Sequence, residues 1–263
     1  MHGGDVARSY RLRLADGRSV FAKTHADAPP GFFTTEAWGL RWMADAHAVG
    51  VPEVLAVSDE PPFLVLEWLD VGHRTAASEP AFGRELAALH GSGAPCFGRE
   101  DRRTTGSRGL PNDPSSSWAE FYAERRLLPL ADLAARSGAL PEAAVAALRA
   151  VAGRLHQLVG PAEPPARLHG DLWGGNRLVD ATGRNWLIDP ACFGGSREFD
   201  LAMMRLFGGF GDAAHAAYQE AFPLGDGWED RVALHQIAPL VVHAIKFGGG
   251  YMAAATAAIG RYT

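Results

Sequence analysis

The sequence is poor in cysteine, in lysine and in long apolar runs. Two cysteines in 263 residues, Cys96 and Cys192, exclude a disulfide framework and a cysteine-built zinc site. They read as small packed hydrophobes of a reduced, cytoplasmic protein. Apolar stretches are short and interrupted, so no transmembrane span is expected. Met1 to Tyr10 contain no apolar signal-peptide core. No basic run occurs and the net charge is -5, which argues against a nucleic-acid surface. What is present is ordinary for a soluble globular chain: 47% hydrophobic and 21% charged residues. The length allows one large domain or two lobes, with a sizeable core.

The shortage of lysine is informative. Of 25 basic residues only Lys23 and Lys246 are lysine. Surface positive charge is written as arginine, so a lysine inside a strand answers a need arginine cannot meet. A compact ammonium held on a phosphate is one such need. Lys23 is singled out on this ground.

The first third reads as strands with one helix. Residues 9–15 and 19–24 alternate polar and apolar around Asp16-Gly17, a hairpin signal. Thr34 or Thr35 can cap a helix running to about His47. Residues 52–58 and 62–68 read as two further strands. From about residue 79 the pattern is helical, with Phe82, Leu86 and Leu89 on one face. Residues 97–117 form a long loop, and loops of that length are uncommon without a function. A helix over 117–136 should kink near Pro129. The next starts with Pro141 in its first turn and faces Val145, Leu148, Val151 and Leu155 inward. Residues 166–190 are short strands and turns, and the remainder is helical. The fold class is therefore α+β and bilobal. A small antiparallel lobe over 1–69, with one helix, precedes a larger, mostly helical lobe over 70–263, and a ligand cleft is expected between them.

The densest chemistry lies in residues 168–190. His169-Gly170-Asp171 is followed by Asn176 in a Gly-rich turn, then by a hairpin and Ile188-Asp189-Pro190. Phosphoryl transfer needs positioned charge and metal, and an acceptor for the substrate hydroxyl proton. Asp171 can be that acceptor. Asn176 and Asp189 supply the hard oxygen ligands that Mg²⁺ prefers. The order matches the protein-kinase catalytic loop and metal aspartate. Lys23 can hold the phosphates of ATP, with Glu36 as its ion-pair partner. Gly3, Gly4 and Asp5, with Ser9 beyond, can cover those phosphates with backbone N–H groups. Glu67, Trp68 and Leu69 either offer backbone to an adenine edge or simply end a buried strand. Asp200 either caps the helix it opens or braces the catalytic loop, with His169 as a further support. His90 and His156 read as structural, and Cys192 as packing.

Several segments together resemble the fructosamine kinase (ketosamine 3-kinase) family. They are HGDLWGGN (169–176), LIDPACFGGSREFDLAMMRLFGGF (187–210), LVVHAIKFGGGY (240–251), GGDVARSYRL (3–12), FAKTH (21–25), TEAWGLRWM (35–43), FLVLEW (63–68) and SWAEFYAERRL (117–127). Choline and aminoglycoside phosphotransferases share the H-G-D-x₄-N and the metal aspartate but not the other blocks. The resemblance implies an ATP- and Mg²⁺-dependent kinase for the 3′-hydroxyl of ketosamines, small or attached to protein lysines, with a role in deglycation. It implies Asp171 as base, Asn176 and Asp189 as metal ligands, Lys23 and Glu36 as phosphate clamp, Glu67 and Leu69 at adenine, and Trp173 lining the sugar pocket. The chain departs from the family in three places. Gly3 comes two residues after Met1 with no strand before it, Ser196 stands where the family has histidine, and residues 99–110 differ. The phosphate loop lacks the cysteine that makes some relatives redox-sensitive, so no such switch is expected. A kinase for another small alcohol, a nucleotide-binding pseudokinase and a metal hydrolase using Asp171, Asp189 and His169 are the competing readings.

Overall fold

The structure, a computed structural model, describes residues 7–104 and 109–263. Four strands open the chain: β1 (Arg8–Arg13), β2 (Ser19–Thr24), β3 (Val54–Asp59) and β4 (Pro62–Glu67). They form an antiparallel sheet in the order β1-β2-β4-β3. The β1–β2 turn closes as its sequence demands. Asp16 Oδ1 accepts from the Arg18 N–H at 3.0 Å, and Gly17 takes a φ of 88°. The ladder sets Ser9 opposite Lys23, and Lys23 opposite Leu64. Leu64 is fully buried in a cluster with Phe33, Leu40 and Met43 of helix α1 (Phe32–Ala44). Directly opposed residues share a sheet face, so this register carries the Lys23 side chain towards α1.

Helix α1 starts two or three residues before the threonines expected to cap it and ends at Ala44, short of His47. Gly31 takes the cap position at φ 80°, a left-handed turn after Pro29-Pro30. Thr34 spends its hydroxyl on Asp59 instead, at 2.9 Å.

Helix α2 (Ser78–Gly91) buries Phe82, Leu86 and Leu89 together, as their spacing predicts. The segment read as one kinked helix is three pieces: α3 (Trp118–Tyr122), a π turn (Ala123–Leu127) and α4 (Leu128–Ser137). Pro129 has no N–H to give the Arg125 carbonyl. Arg126 Nη1 donates to that carbonyl at 2.8 Å in its place. Pro141 occupies the N-cap of α5 (Glu142–Gly153), one place before the first turn where it was expected. Helix α6 (Leu155–Leu158) follows.

Two small ribbons then frame the motif region. Strand β5 (Ala166–Leu168) pairs with β8 (Phe193–Gly195), and β6 (Arg177–Val179) pairs with β7 (Asn185–Leu187). Helices α7 (Arg197–Phe207), α8 (Asp212–Ala221), α9 (Trp228–Phe247) and α10 (Gly250–Gly260) complete the chain. One apolar cluster gathers α3, α4, α5, α9 and α10. A second joins the sheet, α1, α2 and α8, and takes in Leu172 and Leu187 from the motif region. The motif is thus packed between the sheet side and the helical side. Among the described residues no helix is long and apolar enough to cross a membrane.

Candidate active site

The β5–β8 and β6–β7 ribbons hold the loop His169 to Asn176 and the turn Ile188 to Ala191 face to face. His169 Nε2 donates to the Ile188 carbonyl at 2.9 Å, and its Nδ1 accepts from the Asp171 N–H at 3.2 Å. The Ala191 N–H donates to the His169 carbonyl at 2.9 Å. Between them Gly170 sits at φ 80°, and a Cβ there would lie 2.3 Å from the Ala191 carbonyl oxygen. Only glycine fits, which explains the residue between His169 and Asp171.

Asp200, fully buried in the first turn of α7, fixes the same loop. Its carboxylate accepts from the backbone N–H groups of His169 at 2.7 Å and Gly170 at 2.9 Å. His90 Nε2 approaches it at 3.3 Å. The cap of α7 is Ser196, whose hydroxyl accepts from the Glu198 N–H at 3.3 Å. Of the two roles open for Asp200, the geometry therefore selects the brace. His90 is buried and tied also to the Tyr218 hydroxyl at 2.8 Å, a structural position.

Asn176 Nδ2 donates to the Asp171 carbonyl at 2.9 Å and to Asp171 Oδ2 at 3.3 Å, and it reaches the Asp189 carbonyl at 3.5 Å. These three bonds leave Oδ1 as the free acceptor of that amide. Asp189 holds a left-handed backbone, φ 53°, rare outside glycine and tolerated best by Asn and Asp. Such backbones persist where the surroundings enforce them, and they cluster at functional sites.

Lys23 completes this charged cluster. Its Nζ donates to Glu36 Oε1 at 2.8 Å and to Asp189 Oδ1. Burial works against the ammonium, but Glu36 and then Asp189 outweigh it and hold its pKa above the ordinary lysine range. Helix α1 carries Glu36 in, and Gly39 lets the helix approach closely. A Cβ at Gly39 would lie 3.2 Å from Pro190 Cγ and 3.3 Å from Cys192 Sγ, both just beyond Asp189. Cys192 is buried against Gly39, which is the packing role read from its sequence.

Asp171 faces the other way as well, into a cavity of about 500 Å³. Burial lifts its carboxyl above the usual aspartate range, while the nearby His169 and His243 rings oppose that rise. Trp173 also lines the cavity, 43% exposed, and its ring lies over Gly175, where a Cβ would come within 2.2 Å of it.

The remaining nucleotide-side expectations divide. Ser9 is exposed on β1 opposite Lys23. Gly3, Gly4 and Asp5 lie outside the described residues. Glu67 is engaged with Glu53, its carboxylate accepting the Glu53 N–H at 2.9 Å. Trp68 is half-buried beneath the Arg11 guanidinium, 4.3 Å from the ring centroid, and does not enter the core. Leu69 is half-buried beside it.

The cavity wall holds residues that the reading of single motifs passed over. From α9 come Pro239, Val242, His243, Lys246 and Phe247, at spacings of three and four that put them on one helix face. Arg126 comes from the π turn. The spacing was visible in the sequence. Its direction towards Asp171 was not.

A fructosamine kinase family profile matches residues 1–263. A probable ketoamine kinase of Thermus thermophilus is 38% identical over 98% of this chain and 91% of its own length. A chloroplastic protein-ribulosamine 3-kinase of Arabidopsis thaliana is 32% identical over 94% of this chain and 77% of its own length. A solved Thermobifida fusca structure assigned to the fructosamine-3-kinases superposes with a TM-score of 0.90 at 40% identity, covering 99% of this chain and 91% of that one. A choline kinase from Streptococcus pneumoniae shares the fold alone, with a TM-score of 0.62 at 15% identity over 97% of this chain and 89% of that one. The loop geometry around Asp171 and these matches along the full length agree: the chain belongs to the fructosamine kinase family.

Proposed function

We propose that the protein transfers the γ-phosphate of ATP to the 3′-hydroxyl of ketosamines, the adducts of sugars with amines. One observation carries the reading. The Asp171 carboxylate borders a cavity open to solvent on one side, and on the other it is joined through Asn176 to Asp189 and Lys23. A hydroxyl in the cavity would meet the base, and a nucleotide would meet the charged cluster.

In this reading Asp171 accepts the proton of the attacking hydroxyl. Its pKa, raised by burial, brings its basicity nearer that of a group working at neutral pH. Lys23 steers the α- and β-phosphates, and Glu36 keeps the ammonium charged and in place. Trp173 offers an aromatic face to the sugar. Glu67, Trp68 and Leu69 would flank adenine where β4 leads into the helical part, and residues 1–69 and 70–263 would act as the two lobes.

The residues present fit a magnesium ion. Asn176 Oδ1 and the Asp189 carboxylate are hard oxygen donors on adjacent turns. Among the described residues no group of three or more acidic, histidine or cysteine side chains forms a closed metal cage. Mg²⁺ shared with nucleotide phosphates calls for one or two protein oxygens and not a cage. Asn176 and Asp189 would hold it, and it would supply charge neutralisation on the phosphates. A cytoplasmic setting belongs to the same reading, supported by two unpaired cysteines.

The test is ADP release over a panel of ribulosamines, fructosamines, an aminoglycoside and choline. Turnover with a ketosamine is expected. Turnover confined to an acceptor without the ketosamine group would overturn the substrate assignment.

A further inference from the structure

We infer that the acceptor cavity selects ketosamines whose amine carrier bears a free carboxylate, and that Lys246 holds that carboxylate at the cavity mouth. The inference rests on the ketosamine kinase reading and concerns only the half of the substrate beyond the sugar.

Lysine is spent twice in this chain. Lys23 is in the phosphate cluster, and Lys246 stands on the wall of the acceptor cavity near the end of α9. Among the described residues no carboxylate lies within 4 Å of the Lys246 ammonium, which sits 5.4 Å from the neighbouring Phe247 ring centroid. A second cation lines the same cavity. Arg126 is 3% exposed and bonds to the Pro111 carbonyl at 2.7 Å, the Arg125 carbonyl at 2.8 Å and Asn112 Oδ1 at 2.6 Å. It stacks over Phe193 at 4.3 Å. Every one of these partners is uncharged, and among the described residues no carboxylate lies within 4 Å of its guanidinium. Among the described residues Asp171 is the one acidic residue on the wall, and in the proposed reaction it is committed to the hydroxyl proton.

The two cations come to the cavity from different helical segments. Arg126 lies one turn beyond Tyr122, whose hydroxyl accepts from the Ala238 N–H at 3.2 Å. Lys246 is two turns further along α9, about 12 Å at 1.5 Å per residue. The cavity, at about 500 Å³, is in the range that takes a whole small ligand and not a sugar ring alone. A ketosamine brings a basic nitrogen of its own. The wall carries two cations against the one carboxylate of Asp171, so a carrier with no anion is disfavoured, and one with a carboxylate next to that nitrogen is neutral overall. Lys246 is the cation that such a group reaches, because it is exposed at the rim of the cavity beside Phe247, 59% exposed, whereas Arg126 is buried.

The experiment compares two acceptors that differ only in charge: the ribulosamine of glycine and the ribulosamine of glycinamide. The quantity read is the ratio of their kcat/KM values within one preparation, which does not depend on how much of the enzyme is folded. The wild-type ratio should favour the carboxylate by about fivefold, the worth of one partly exposed ion pair. Lys246→Met should bring the ratio close to one, and Lys246→Arg should restore most of it. Equal use of both acceptors by the wild type, or a preference that survives Lys246→Met, overturns this inference and leaves the ketosamine kinase reading intact. Failure of that reading looks different: neither adduct is phosphorylated, while another alcohol is.

Discussion

Replacing Asp200 with asparagine tests the loop geometry without touching a residue that would meet substrate. The side chain keeps its shape and loses its charge. The native carboxylate accepts two backbone N–H groups, from His169 and Gly170, in a site with no exposure to water. An asparagine oxygen can serve one of them, and its NH₂ then opposes the other. Hydrogen bonds to a charged partner contribute about 1.5–3 kcal/mol each, so one lost and one weakened costs about 3 kcal/mol. For a chain of this size each kcal/mol moves the Tm by about 2–4 °C, so a fall of about 6–12 °C is expected in calorimetry. The loop should also drift, since Gly170 is held in a left-handed turn by these bonds. A displacement of about 1 Å at the base costs up to about 10²-fold in rate. The expected pattern is a kcat lowered about 10- to 100-fold, with nucleotide affinity within about threefold of wild type. Lys23, Glu36 and Asp189 are positioned by other contacts and should still bind nucleotide. A Tm within 2 °C of wild type together with unchanged kcat would refute the bracing role.

Asp171→Asn should lower kcat about 10²–10⁴-fold with ATP affinity nearly unchanged, as measured by coupled ADP release and nucleotide titration. Burial raises the Asp171 pKa, and the base works only when deprotonated, so the acid limb of the wild-type rate profile should lie above the ordinary aspartate range. Lys23→Arg should raise KM for ATP and lower kcat by at least about tenfold despite the kept charge. The wider guanidinium cannot occupy the buried place between Glu36 and Asp189. His235 is fully buried and accepts the Trp118 indole N–H at 3.0 Å, and burial, with Arg231 nearby, pushes its pKa down to about 3. Below the ordinary imidazole range the unfolded chain takes up a proton that the folded protein refuses. His235 should therefore cost up to about 1.4 kcal/mol of stability per pH unit as pH falls from about 6.5. Urea denaturation of wild type and His235→Gln should show that slope in the wild type alone, and parallel profiles would disprove it.

Much of this molecule can be read from local pattern. The Asp16-Gly17 hairpin, the α2 face of Phe82, Leu86 and Leu89, and the order of His169, Asp171, Asn176 and Asp189 depend on residues close in sequence. Short-range sterics and hydrophobic period act there, and both are visible in a single chain. The scarcity of lysine pointed to Lys23 for the same kind of reason, a residue type chosen against the habit of the whole sequence. The errors lie where local signals compete. Two threonines looked like a helix cap, but a proline pair followed by Gly31 turned the chain first. Pro129 predicted a kink, but not that Arg126 would take over the orphaned carbonyl and so come to line the cavity.

The sequence by itself determined most of the elements, the His169-to-Asp189 motif and the family, because those are written in neighbouring residues. Tertiary structure alone decided which partners each charge meets. It assigned the Asp200 carboxylate to the loop N–H groups 30 residues away and not to its own helix. It brought Lys23 to Asp189 across 166 residues. It also turned one face of α9 towards Asp171, placing His243 and Lys246 on the wall of the same cavity. Such pairings depend on how helices and ribbons pack, and packing is set by apolar surfaces far from the charges it brings together.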